Sequence, residues 1–192
     1  MTGSAYQTAD DKQACPNRER QRSGFRPTVV RVLFVAESPP AGGTFFYDAN
    51  SNLYRVMRES FEGAFGKRWS DEKRGFLDFF RNHGCYLDDL CLDPVNKLSS
   101  ADRREHHRAA IESLANRLKE NRPQLLTVIK KDIAKHVDQA CKMTGLDINI
   151  DYVLRFPTMG WQPSFVRELT DILRSERVLR LLEIGTLPAR AG

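Results

Sequence analysis

Large apolar residues are nearly absent from the first 28 positions and then arrive as a block: Val29, Val30, Val32, Leu33, Phe34 and Val35. A near-continuous β-branched and aromatic run of this length predicts a strand buried on both faces. Glu37-Ser38-Pro39-Pro40-Ala41-Gly42-Gly43 follows, where two prolines and two glycines forbid regular structure and leave backbone accessible. Leu53, Val56, Met57, Phe61, Ala64 and Phe65 then recur at helical spacing, with Asp48, Asn50 or Ser51 available as N-cap. A second helix is predicted from Asp71 to Arg81, with Phe76, Phe79 and Phe80 on one side, until His83-Gly84 stops it.

Cys85 to Cys91 is a short second strand, broken by Asp93-Pro94. Ser99 or Ser100 can cap a long helix carrying Ile111, Leu114, Ala115 and Leu118 on one face, which Pro123 closes. Leu125 to Ile129 supplies a third strand, a helix runs from about Lys131 to Met143, and Tyr152 to Phe156 fits a fourth strand. The last helix starts near Pro163-Ser164 and shows Phe165, Val166, Leu169, Ile172 and Leu173. Strand and helix in alternation predict an α/β fold, a three-layer α/β/α sandwich with a central four-stranded, mostly parallel sheet. Its limits are read as 29–185, with 186–192 a C-terminal tail. Residues 1–28, polar and charged, are read as a disordered tail, because they lack the side chains to offset the entropy of ordering.

The length of 192 residues suits one domain with a sizeable core. No apolar run is long enough to span a membrane and no secretory leader is evident, which gives the expectation of a cytoplasmic protein with no membrane partner. Cys15, Cys85, Cys91 and Cys141 are scattered without a close pair, so free buried thiols are expected, and neither a metal nor another cofactor is implied. A formal net charge of +5 favours phosphate-bearing partners without identifying one.

In an open parallel sheet, ligands bind at the carboxyl ends of the strands, and the unusual residues stand there. Glu37 follows the first strand directly, and Phe45, Phe46 and Tyr47 follow the glycine pair. Asp89 and Asn96 flank the end of the second strand, and Lys130 and Lys131 follow the third. A carboxylate, aromatic faces, an amide and ammonium groups form an inventory suited to a nucleobase and its phosphates. Consecutive Phe45 and Phe46 are expected to split, one toward the core and one toward the crevice. His106 and His107, beside Arg103, Arg104 and Arg108, read as a solvated helix face, and Trp161 as the anchor of the last helix, with a wedge into nucleic acid as the alternative.

Val32-Leu33-Phe34-Val35-Ala36-Glu37-Ser38-Pro39-Pro40 is similar to the first motif of the uracil-DNA glycosylase superfamily, in which a strand runs into an acidic, proline- and glycine-containing loop. The resemblance extends in element order through Thr44-Phe45-Phe46-Tyr47, the strand ending at Asp89 with Asp93-Pro94-Val95-Asn96-Lys97, and the third strand. It implies a DNA glycosylase-like protein that hydrolyses the N-glycosidic bond of a damaged or modified base. Carried over by position, Glu37 is the catalytic carboxylate, Phe46 or Tyr47 stacks on the base, and Asp89 reads its edge. Ser38, Gly42, Gly43, Lys130 and Lys131 are candidates for phosphate or nucleic-acid contacts. The late segment, Phe156-Pro157-Thr158 or Gln162-Pro163-Ser164, offers no histidine. The alternative is therefore a catalytically inactive module binding nucleic acid or a nucleotide on the same fold, and the expected partner in either case is DNA or a nucleobase-containing ligand.

Overall fold

The computed structural model describes residues 9–69, 73–158 and 160–184, with side chains for 17–69, 74–158 and 160–184. Four strands, β1 (Val32–Ala36), β2 (Cys85–Asp89), β3 (Leu125–Ile129) and β4 (Tyr152–Leu154), form one sheet in the order β2-β1-β3-β4. All three pairings are parallel. The helices are α1 (Ala9–Gly24), α2 (Asn52–Phe65), α3 (Lys73–Asn82), α4 (Ser100–Ala109), α5 (Ile111–Asn121), α6 (Ala134–Thr144), α7 (Gln162–Arg174) and α8 (Glu176–Leu181). None of them is long and apolar enough to cross a membrane.

From β1 the chain steps to β2 and then reverses across the sheet to β3 and β4. Right-handed crossovers therefore put α2 and α3 on one face and α5 and α6 on the other. The pairings α2 with α7 and α5 with α6 follow from this arrangement. Every residue of β1, β2 and β3 is buried, as a strand covered on both faces requires. On the α2 face Phe34 packs with Phe61 and Phe80, and Phe76 meets both of those helix rings, so the aromatic stripes of α2 and α3 form the densest part of the core. Ser51 is the N-cap of α2, accepting a hydrogen bond from the Tyr54 amide at 3.1 Å.

Two expectations are corrected here. The single long helix after Ser99 is two helices meeting at Ala110, because the apolar stripe begins only at Ile111. The α4 segment before it buries one residue, His107, and must bend to aim it inward.

The second correction concerns the expected tail. Residues 9–24 are helical, and the carboxyl end of α1 is docked. Arg22 is 2% exposed and reaches both acidic residues at the end of β2, Asp88 at 3.1 Å and Asp89 at 2.5 Å. Gln21 donates to the Tyr47 carbonyl and to Asp48, and Phe25 stacks on Tyr47 at 5.3 Å. The segment has no apolar stripe to betray it, since charge pairing and one ring hold it down. The expected tails at 1–8 and 186–192 lie outside the described residues.

Candidate functional site

Where the chain reverses, between β1 and β3, the loops leaving the strand ends part, and a cavity of about 720 Å³ opens. That volume lies within the range of small-molecule and cofactor sites. Glu37 and Ser38 enter it after β1, Lys130 and Lys131 after β3, and Leu87 and Asp89 from β2. Arg103 reaches it from α4, while Arg155, Phe156 and Trp161 close the side beyond β4. The Pro-Pro-Ala-Gly-Gly loop forms the rim and is pinned from three sides. Asn96 Oδ1 accepts from the Ala41 amide at 3.0 Å, Ser38 Oγ accepts from the Val95 amide at 3.3 Å, and Arg18 donates to the Pro40 carbonyl at 3.2 Å.

Glu37 is the hub of the floor. Arg103 grips its carboxylate with two nitrogens, one of them Nε at 2.7 Å from Oε1. Lys130 Nζ lies 2.7 Å from Oε2. His107 Nε2 lies 3.0 Å from Oε1 without the alignment of a hydrogen bond, and its ring meets His136 edge-on at 5.3 Å. Burial pushes the Glu37 carboxyl upward, but the hydrogen bonds from Arg103 and Lys130 outweigh it and hold the group below the usual range. Burial likewise lowers His107 and His136, and the Glu37 charge only partly opposes this at His107, so both rings are neutral at pH 7.

Lys130 holds a backbone that few non-glycine residues adopt, φ +118° and ψ +113°. Its amide donates to the Leu154 carbonyl at 2.9 Å, the last bond of the β3–β4 pairing, and its side chain reaches Glu37. Strain of this kind costs on the order of 1–3 kcal/mol and collects at functional sites.

Asp89 lies on the β2 face that also presents Leu87 to the crevice, while Tyr86 and Asp88 point the other way. Burial raises its carboxyl to about 6, with Arg22 pulling it down and Asp88 pushing it up. Arg117 completes the network behind it, with Nε 2.8 Å from Asp88 Oδ2 and one terminal nitrogen donating to the Asp89 carbonyl at 2.6 Å.

Glu37, Ser38, Phe46, Asp89, Lys130 and Lys131 are thus brought together as the chain pattern predicted. Tyr47 is not. It is 3% exposed, and its hydroxyl donates to the Leu87 carbonyl at 2.8 Å and accepts from the Leu87 amide at 2.9 Å, so it braces the open edge of β2. Gly42 and Gly43 are exposed and stand outside the crevice lining, where Gly43, at φ +76°, turns the rim. Phe45 and Phe46 do not split. The chain turns into a 3₁₀ helix at Phe46–Asp48 rather than running extended, so both rings are buried and both border the cavity.

Sequence reasoning missed Arg22, Arg103, His107 and Arg155 as site components, and ranked Trp161 as a helix anchor ahead of a nucleic-acid contact. Arg103 and His107 carried a usable signal, since residues four apart share one helix face and need not both be solvated. His106 is indeed exposed. Trp161 is the N-cap residue of α7, where its carbonyl accepts from the Phe165 amide at 3.0 Å, and its ring is 42% exposed with the Arg155 guanidinium 3.8 Å from its centroid. Cys85, Cys91 and Cys141 are free and buried, and Cys91 adjoins the site, its amide donating to the Glu37 carbonyl at 2.9 Å. No protein-family model matches the chain and no curated protein matches it, so its functional assignment rests on the chemistry of this crevice.

Proposed function

We propose that the crevice binds a nucleobase together with its sugar–phosphate, either within DNA or as a free nucleotide. The supporting observation is one concavity that joins aromatic surface to unspent positive charge. Phe45, Phe46, Phe156 and Trp161 border it, and Lys131 and Arg155 have no carboxylate partner among the described residues. Rings of this kind stack on any base, and free cations at the mouth meet the phosphate.

Glu37 acts in this assignment as an electrostatic anchor. A carboxylate that activates water needs an open lone pair. Here Oε1 faces Arg103 and His107, and Oε2 faces Arg103 and Lys130. The carboxylate thus sets Arg103 and Lys130 in place at the floor.

Hydrolysis of an N-glycosidic bond, the uracil-DNA glycosylase-like activity implied by the resemblance of the first motif, is the second assignment. One observation favours it: the lowered carboxyl of Glu37 keeps its charge through the neutral range at the crevice floor. A fixed negative charge there could stabilise an oxocarbenium-like sugar as the base departs with the bonding pair, water adds to C1′, and the proton that the water releases neutralises the departed base. It requires Lys130 or Arg103 to release an oxygen.

One experiment separates the two. Fluorescein-labelled single-stranded and duplex oligonucleotides carrying normal bases, uracil, hypoxanthine or xanthine are titrated with the protein, and the same mixtures are treated with alkali. Binding that weakens with salt, without alkali-sensitive sites, is the expected result. Base release above the spontaneous rate moves the assignment to the enzyme, and no binding to any oligonucleotide or free nucleotide refutes both.

A further inference from the structure

A second concavity opens at the amino ends of β1 and β2, across the sheet from the crevice. We infer that this cleft is a ligand site of its own, which takes a compact anion carrying two phosphate groups, and that the Glu183 carboxylate competes with the anion for Arg31.

Three guanidinium groups from three separate segments converge there. Arg26 follows α1, Arg31 immediately precedes β1 and Arg81 lies in the last turn of α3, and all three line one cavity of about 450 Å³. Glu183 is the one carboxylate among the described residues of that lining. Outside it, Arg26 has Glu120 at 3.6 Å and Arg81 has Asp78 at 3.8 Å, separations too long for a hydrogen bond. The dipole of α3 accounts for a cation at Arg81, but Arg26 and Arg31 stand on no helix.

Arg31 is set in place by the backbone around it. Its amide donates to the Gly84 carbonyl at 2.8 Å and its carbonyl accepts from the Leu125 amide at 2.9 Å, which fastens it between the ends of β2 and β3. Its stem lies across Gly84, which turns at φ +77°. A Cβ at position 84 would stand 2.8 Å from Arg31 Cγ and 3.0 Å from the Val29 carbonyl oxygen. The fold therefore keeps that space clear for the arginine stem, and the side chain is only 24% exposed.

Glu183 carries the next step. α8 ends in a Schellman turn, in which the Ile184 amide donates to the Leu179 carbonyl and the Glu183 amide to the Arg180 carbonyl, both at 3.1 Å. The left-handed position of such a turn ordinarily holds glycine, and here it holds Glu183 at φ +55°. The helix dipole also opposes a carboxylate at this end. The side chain is 71% exposed and contacts Arg31, so it supplies that guanidinium with an anion at a position that favours neither its backbone nor its charge. Guanidinium groups take phosphate oxygens in the same forked geometry as carboxylate oxygens. Three of them facing a single carboxylate match the charge of a diphosphate better than that of a monophosphate.

The test is calorimetric titration of the full chain with inorganic pyrophosphate at pH 7.5. Binding that weakens at least about tenfold in Arg31→Met and in Arg81→Met is expected. Glu183→Gly, which suits the left-handed turn, should keep or raise the melting temperature and tighten binding by about two- to fivefold. Circular dichroism checks each fold, and if Arg31→Met does not fold, Arg81→Met and Glu183→Gly decide. Absence of pyrophosphate binding overturns the inference. So does binding that Lys131→Met abolishes and Arg31→Met spares, since the crevice then holds the anion. Unchanged affinity in Glu183→Gly refutes the competition by Glu183. An oligothymidylate whose binding falls in Arg31→Met, in a chain that does not bind pyrophosphate, assigns the cleft to a nucleic-acid backbone and refutes the small-anion site.

Discussion

Replacing Arg22 with Met tests whether α1 belongs to the fold. Met keeps most of the apolar stem volume and removes the guanidinium, so packing changes little and electrostatics change completely. Asp88 retains Arg117 at 2.8 Å, whereas Asp89 loses the one cation among the described residues that contacts its carboxylate. Removing one partner of a buried pair costs about 3–5 kcal/mol when the stranded charge has no escape. Asp89 has a partial escape, because burial already holds its carboxyl at about 6 and loss of Arg22 raises it further, allowing it to take up a proton near neutral pH. The lower end, about 3 kcal/mol, is therefore expected, or a fall of roughly 6–12 °C in melting temperature for a domain of this size. Urea denaturation at pH 7.5 followed by circular dichroism measures it. The same titration at pH 5 should show a smaller loss, because Asp89 is then neutral in the variant, and Arg22→Met combined with Asp89→Asn should recover part of the loss at pH 7.5. A loss below about 1 kcal/mol, or a penalty independent of pH, would mean that α1 is not held by this pair.

Glu37→Gln leaves Arg103 and Lys130 facing each other without a counter-charge, so a loss of about 1.5–3 kcal/mol is expected in the same denaturation assay. If base release occurs at all, that substitution should also slow single-turnover release by about tenfold, and unchanged stability and release together would remove Glu37 from the site's chemistry. Trp161→Ala should weaken oligonucleotide binding by about 1–3 kcal/mol while leaving the melting temperature nearly unchanged, because the ring is 42% exposed. Stability should fall as pH drops below about 6.5: His107 and His136 are lowered from that value by burial, so the unfolded chain binds protons that the native state refuses. Asp89, raised from 3.8 to about 6, works in the opposite sense between those values and offsets part of the histidine effect. A urea midpoint no lower at pH 5.5 than at 7.5 would contradict this balance.

The sheet was legible because its strands are apolar on both faces. Leu125–Ile129 stands where the run of Leu, Thr, Val and Ile put it, and the first strand is shifted by a few residues, with Val29 left 53% exposed ahead of it. Glu37, Asp89 and Lys130 were legible because each directly follows or ends such a run, and parallel strands send those ends to one side. What stayed hidden was held by polar forces. Periodicity reports apolar stripes, so it said nothing of α1, whose burial runs through Arg22, and it showed neither the break at Ala110 nor the inward turn of His107 on α4. Tyr47 was misplaced for a related reason: its ring looks like a stacking surface in sequence, while its hydroxyl is consumed by the Leu87 backbone.

The charges of the crevice are arranged in depth, and this ordering bears on which ligand can enter. At the floor, Glu37 is matched by Arg103 and Lys130, and on the β2 side Asp89 is matched by Arg22, so these carboxylates present little net negative charge to an arriving phosphate. At the mouth, Lys131 and Arg155 have no carboxylate partner among the described residues, and Arg155 instead rests on the face of Trp161. On the proposed nucleotide reading, a ligand entering with its anionic end outward and its ring inward meets Lys131 and Arg155, which outnumber the exposed carboxylate in the lining, Asp132. The reverse orientation would carry a phosphate toward the buried carboxylate of Asp89, where two anions would face each other at low dielectric. The strained backbone of Lys130 fits the same scheme: its unusual φ lets one turn after β3 send Lys130 down to Glu37 while Lys131 stays at the exposed mouth. The bond from the Lys130 amide to the Leu154 carbonyl continues the parallel β3–β4 pairing of Ile129 with Leu154, so the departure from the strand begins at Lys130 itself.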